Sequence, residues 1–145
     1  KTMTKRKITI GELEMAVRIA FDGDEKIYEM YDHSAVVSNI DEIAVDVIRK
    51  VKEFEKAELY GVYEKNKIVG YFVCEPLKLI SFALTPSFRT RSYLNEFFTM
   101  IRKTIKNKFT CFLWSRNIRA VKWLMKNGME IYDSNPHITT LTYIK

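Results

Sequence analysis

Between Leu79 and Met129 the hydrophobic period of the chain alternates between two kinds, and that alternation narrows the available folds more than any other feature. Leu79 to Thr85 is apolar enough for a strand buried on both faces. A tight turn follows, Thr85-Pro86-Ser87-Phe88-Arg89-Thr90-Arg91-Ser92. Leu94, Phe97, Phe98, Ile101 and Ile105 then recur at helical spacing, with Arg102, Lys103 and Lys106 towards solvent. Phe109 to Trp114 reads as a second strand. Asn117 opens a second helix with Ala120, Val121, Leu124 and Met125 inward, and Gly128 suits its C-terminal cap. Two strands joined through a helix need a crossover, so Leu79–Leu84 and Phe109–Trp114 are predicted to be parallel neighbours. Diverging at their C-terminal ends, they would leave a crevice for a ligand.

The flanking sequence completes one sheet. Thr9-Ile10-Gly11-Glu12 has the spacing of a capping box, and Leu13, Ala16, Val17, Ala20 and Phe21 continue it as a short amphipathic helix that stops near Asp22-Gly23-Asp24. Residues 22 to 38, which include His33, hold no sustained period and read as a loop with at most a turn of helix. From Asn39 or Asp41 a stronger helix buries Ile40, Ile43, Ala44, Val47, Ile48, Val51 and Phe54. After Lys56 the period becomes two: Leu59–Glu64 and Ile68–Cys74 are strands around a Lys65-Asn66-Lys67 turn. Met129–Tyr132 and Ile138–Ile144 form a closing pair around Ser134-Asn135-Pro136-His137. The sum is an α/β fold, a mixed central sheet with helices on both faces. With 145 residues and 47% hydrophobic content it is expected as a single domain over 1–145, led by a short basic segment 1–7.

The net charge of +6 is unevenly distributed. Residues 1–75 hold 12 Lys and Arg against 15 Asp and Glu; residues 76–145 hold 12 against only Glu96, Glu130 and Asp133. A basic C-terminal half suits an anionic partner, whether a CoA-type nucleotide, a nucleic acid or an acidic protein. No run approaches the length of a membrane span and no signal-peptide pattern is present, so no membrane partner is expected. Cys74 and Cys111 each lie in an apolar run, which predicts reduced, buried thiols and a cytoplasmic setting. His33 and His137 have no ligand spacing around them, so no metal site is expected.

The junction at Arg89–Ser92 carries the clearest chemistry. A strand feeding a helix N-terminus leaves backbone N–H groups unpaired, which favours a bound phosphate, and Arg89 and Arg91 add charge there. Ser92 is small and a good N-cap. The competing reading makes both arginines solvated loop charges and Asn117 a simple N-cap. Trp114 and Trp123 read as packing residues, Cys111 as core, and Tyr132 and Tyr143 as strand packing or a displaced acid.

This arrangement resembles the cofactor-binding half of the GNAT superfamily of N-acetyltransferases. In that family the turn reads Arg/Gln-x-x-Gly-x-Gly/Ala and its amides wrap the pyrophosphate of acetyl-CoA. Here Arg89 matches, while Ser92 and Leu94 stand at the two small positions. The run from Asn117 to Met129 is similar to the family's pattern of Asn, then Ala, Tyr and a terminal Gly-Phe. Asn117, Ala120 and Gly128 match, Met129 replaces Phe, and Leu124 stands where the family has its proton-donating Tyr. No acidic residue lies between Glu75 and Glu96, where a general base is often found. The resemblance implies an acyl-CoA N-acyltransferase-like fold, acetyl-CoA as cofactor, and Leu84, Arg89, Thr90, Arg91, Ser92, Tyr93 and Asn117 as its binding residues. It leaves the catalytic residues unassigned.

Two functions follow from that resemblance. One is a non-catalytic binding or structural protein with degenerate motifs. The last third is also similar to small internal virion proteins of tailed phages built on such a fold, which implies a virion interior and nucleic acid or other virion proteins as partners. The other is an active acetyl-CoA-dependent N-acetyltransferase acting on an amine.

Overall fold

The computed structural model describes residues 2–24, 26–27 and 39–144. In chain order the described elements are β1 (Thr4–Lys7), α1 (Ile10–Phe21), α2 (Ile40–Lys52), β2 (Glu58–Glu64), β3 (Lys67–Glu75), β4 (Lys78–Leu84), α3 (Arg91–Ile105), β5 (Phe109–Trp114), α4 (Ile118–Lys126), β6 (Glu130–Ser134) and β7 (Ile138–Tyr143). The strands form one sheet in the order β1-β2-β3-β4-β5-β7-β6. Most of the loop expected over 22–38, with His33, lies outside the described residues.

The sheet has a core on each face because its central strands alternate. Along β3, Phe72 and Cys74 point to one side and Tyr71 and Val73 to the other. The first face packs under α3 and α4 through Phe97, Phe98, Ile101 and Leu124, joined by Leu79, Phe109, Cys111 and Leu141. The second packs under α1 and α2 through Leu13, Ala16, Val17, Ile43, Ala44 and Val47, joined by Ile80 and Ala83. Gly70 has to stay bare where β3 meets β4: a Cβ there would lie 2.5 Å from the Ala83 carbonyl oxygen. The β2–β3 turn is tighter than expected. Only Lys65 and Asn66 intervene, both at positive φ (54° and 65°), as a two-residue loop of primed twist requires.

The segment 1–7, read only as basic, contains a strand. β1 has no apolar period, and all four of its residues are exposed. It forms because its backbone pairs antiparallel with β2, Thr4 opposite Tyr63 and Lys7 opposite Tyr60. Met3 inserts into the core beside it, and Lys5 and Arg6 lie over the Tyr60 and Tyr63 rings. Its charges also suit an edge strand. A second correction concerns Met125, expected inward: it is 46% exposed, and Trp123 takes the inward place, stacked on Phe97 with ring centroids 5.8 Å apart.

β4 and β5 are parallel, as the crossover helix requires, and they part almost at once. Lys78 is paired with Thr110 and Leu79 with Cys111, and the ladder stops there. A bulge adjoins the split: Val73 faces Ser81 and Cys74 faces Leu79, which leaves Ile80 as the extra residue on β4. Beyond that point β4 pairs with β3 alone and β5 with β7 alone.

Candidate functional site

The split opens a cavity of about 300 Å³ on the α3–α4 side. Its inner wall is apolar, built from Phe82, Leu84, Leu94, Phe97 and Trp123. Asp24, Arg89, Asn117 and Arg119 complete the lining with polar groups. A largely apolar cleft with few convergent polar groups is the usual character of a small-molecule site. The Trp123 indole N–H is buried and has no hydrogen-bond partner among the described residues.

Arg89 does not stand free. Its Nε donates to the Leu84 carbonyl (2.8 Å), one terminal nitrogen to Asp24 Oδ2 (2.7 Å), and the other to the Ala20 carbonyl (3.4 Å). It therefore ties the turn to the end of α1 as well as lining the cavity. Asp24 is 8% exposed and its second oxygen lies 3.7 Å from the Arg119 guanidinium. The backbone N–H of Lys26 also donates to it (3.2 Å).

Thr90, not Ser92, is the N-cap of α3; Ser92 is the second helical residue. The helix begins earlier because the Pro86–Phe88 turn delivers an extended Thr90 directly before Arg91. No side chain caps this end, and its first turn holds no acidic residue. The first i→i−4 bond runs from Leu94 N–H to the Thr90 carbonyl (2.8 Å), so the amides of Arg91, Ser92 and Tyr93 precede the helical ladder. Arg91 is exposed beside them. Tyr93 turns away from the cavity to pack on Phe88 and reach Glu64 with its hydroxyl (3.3 Å). Asn117 caps α4 by accepting from the Ala120 N–H (3.3 Å). The cavity thus brings together Leu84, Arg89 and Asn117 from the sequence expectation, with Thr90–Ser92 at the neighbouring helix start.

A second cavity, about 380 Å³, lies on the α1–α2 side of the same split. Phe21, Phe82 and Asn117 border both, so the two meet where β4 and β5 part. Its walls include Asp46, Arg49 and Lys50 of α2 and Glu53 at its C-cap, together with Tyr71 and Ser81, whose hydroxyls hydrogen-bond at 2.9 Å. Burial pushes the Tyr71 phenol far up, which makes it a weaker proton donor than an exposed tyrosine. Sequence reading missed this pair; Tyr71 and Ser81 lie on adjacent strands, and only the β3–β4 register brings them together. Arg119 was within reach of inference, since Asn117 fixes the helix start and places it in the first turn.

Other candidates are accounted for. Leu124, at the position of the family's Tyr, is fully buried in the core. Tyr143 packs among Phe98 and Phe109, and Tyr132 is 78% exposed on the edge strand β6. Cys74 and Cys111 are free and buried, with burial pushing their thiols up to about 11 and about 12, which suppresses the nucleophilic thiolate. Among the described residues no group of His, Cys, Asp and Glu is placed to hold a metal ion, and no helix is long and apolar enough to cross a membrane.

No protein-family model matches the chain. No curated protein matches it by sequence. Solved structures do match in shape. An acetyltransferase from Thermus thermophilus superposes with a TM-score of 0.75 at 10% identity, over 98% of this chain and 96% of its own. The PaiA N-acetyltransferase from Thermoplasma acidophilum, in complex with coenzyme A, gives 0.68 at 16% identity over the whole of both chains. The spermidine N-acetyltransferase from Vibrio cholerae, in complex with CoA and spermine, gives 0.64 at 10% identity over 97% and 94%. At these identities the likeness is one of fold: the chain has the GNAT, acyl-CoA N-acyltransferase-like fold.

Proposed function

We propose that this protein binds a CoA-type nucleotide in the β4–β5 crevice and does so without the acid–base pair of GNAT enzymes. One observation carries the reading: the β4–β5 ladder stops after Leu79–Cys111, and the crevice it opens lies beside a helix start that no side chain caps. Diphosphate would rest on the Arg91–Tyr93 amides, where backbone dipoles and the Arg91 charge favour an anion. The pantetheine arm would follow the apolar cavity past Leu84 and Asn117. Acetyl-CoA is the expected acyl form. That several similar structures hold CoA supports the same ligand here.

The absence of standard chemistry rests on Leu124. It is sealed in the core and cannot donate a proton, and Leu94 narrows the cavity where the family carries Gly or Ala. A structural role inside a virion, as the second likeness implies, would use the fold and its basic half with no transfer step. Nucleic acid would then compete with the nucleotide for that charge.

The second cavity favours a second reading, transfer to an amine. An acceptor entering between Asp46, Glu53 and the Tyr71–Ser81 pair would meet the crevice at Asn117 and Phe82. The Tyr71 and Ser81 hydroxyls would help orient the acceptor there, and positioning would supply most of the rate.

Calorimetric titration with CoA and acetyl-CoA, followed by acetyl transfer to a panel of amines including polyamines, tests both. The expected result is nucleotide binding with no turnover in wild type. No binding of either nucleotide would overturn the proposal. Turnover that disappears in Tyr71→Phe would establish the second reading instead.

A further inference from the structure

Among the described residues Asp24 is the one buried charged side chain. A carboxylate removed from water needs partners that repay its lost hydration. Its partners come from the two elements that flank the crevice: Arg89 from the turn before α3 and Arg119 from the first turn of α4. The two contacts are unequal. Arg89 is held by a short bond at 2.7 Å and by two carbonyls, with its side chain 23% exposed. Arg119 sits 3.7 Å away, beyond hydrogen-bond length, with its side chain 55% exposed.

Among the described residues two arginines face this one carboxylate, and Arg119 is the more loosely held of the two. A carboxylate offers one negative charge. A diphosphate offers more charge and more acceptor oxygens, arranged for the planar guanidinium fork. We propose that Asp24 is an internal anion that occupies the crevice arginines until a polyanionic ligand draws Arg119 away. Asp24 therefore selects for diphosphate-bearing ligands over singly charged ones. This rests on the nucleotide-binding reading above and adds to it a residue that sets which anions the crevice accepts. Arg119 is the residue that changes partner; Arg89, anchored to the Leu84 and Ala20 carbonyls, stays.

The test is Asp24→Asn, which keeps an acceptor for Arg89 and removes the charge. Calorimetry with CoA is expected to give about tenfold tighter binding than wild type, the difference between a charge-assisted and a neutral contact. Inorganic phosphate is expected to compete weakly with CoA in wild type and more effectively in the variant. Arg119→Gln, at an exposed side chain, should weaken CoA binding several-fold and leave melting unchanged. Equal or weaker CoA binding by a folded Asp24→Asn protein would overturn the role of Asp24 while leaving the nucleotide reading intact. If neither wild type nor variant binds CoA, the nucleotide reading itself fails. Should Asp24→Asn not fold, Arg119→Gln decides: unchanged CoA affinity there would overturn the proposal.

Discussion

Thr9 and Thr90 occupy the same position in two helices and treat it in opposite ways. Thr9 closes α1 on itself: its hydroxyl accepts from the Glu12 N–H at 3.1 Å, and the Glu12 carboxylate accepts from the Thr9 N–H at 2.8 Å. Asn39 and Asn117 likewise cap α2 and α4 with their side chains. Thr90 makes no such bond, and Tyr93 at the third helical position has no carboxylate to return. Among the described α-helices, α3 is the one whose start is left open, and it is the one beside the crevice. A closed helix start stabilises its own helix, whereas an open one keeps its donors for something else. The comparison sets α3 apart from the other described α-helices without appeal to ancestry.

Adjacent arginines at that start are expected to separate most widely. Sequence reading treats Arg89 and Arg91 as equivalent, yet Arg89 holds a buried carboxylate and Arg91 is solvent-exposed. Arg89→Ala would leave Asp24 with the Lys26 N–H and the distant Arg119 contact. The expected loss in a denaturant melt is on the order of 3 kcal/mol, as for breaking a buried pair from one side. Arg91→Ala should stay within about 0.5 kcal/mol of wild type while weakening CoA binding. Equal stability losses in the two variants would erase the distinction between a structural and a ligand-facing arginine.

The two threonines give a smaller and cleaner contrast. Thr9→Ala removes a reciprocal cap and should cost about 1 kcal/mol. Thr90→Ala removes no side-chain bond and should cost a few tenths at most. Chemical denaturation of both, analysed with a common slope, measures the difference. A Thr90→Ala cost matching that of Thr9→Ala would mean that the hydroxyl caps α3 in solution and that the start is not open.

What could be read in advance divides along physical lines. The parallel β4–β5 pair was legible because a helix between two strands permits little else. The α1 capping box was legible because both of its bonds are local. β1 was not, since its residues carry no periodicity and the strand exists through pairing with β2. The start of α3 was misplaced by the appeal of Ser92 as a cap; the turn before it decides the boundary instead. Asp24 was legible only as part of the stop after α1, because its partners lie 65 and 95 residues further along the chain and no local rule connects them. The Tyr71–Ser81 pair depends on strand register in the same way. Local chemistry is readable; a site assembled across the sheet is readable only at the points where a motif happens to mark it.

A small expected gain in stability is also the most discriminating. Thr90→Asp places a carboxylate at the open N-terminus of α3, where it can accept from the amides that now precede the ladder and interact favourably with the helix dipole. Stability should rise by about 0.3–1 kcal/mol, the usual size of such a contact at an exposed position. CoA binding should fall, because the new carboxylate takes the donors and repels the diphosphate. A start that exists only to begin a helix would gain stability and lose nothing. A start reserved for an anion gains stability and loses its ligand, so the two measurements move in opposite directions. Thr90→Asn separates charge from capping: it can fill the same donors without the negative charge, and should weaken binding less. If Thr90→Asp is stabilised and binds CoA as wild type does, the open helix start is not where the phosphate sits.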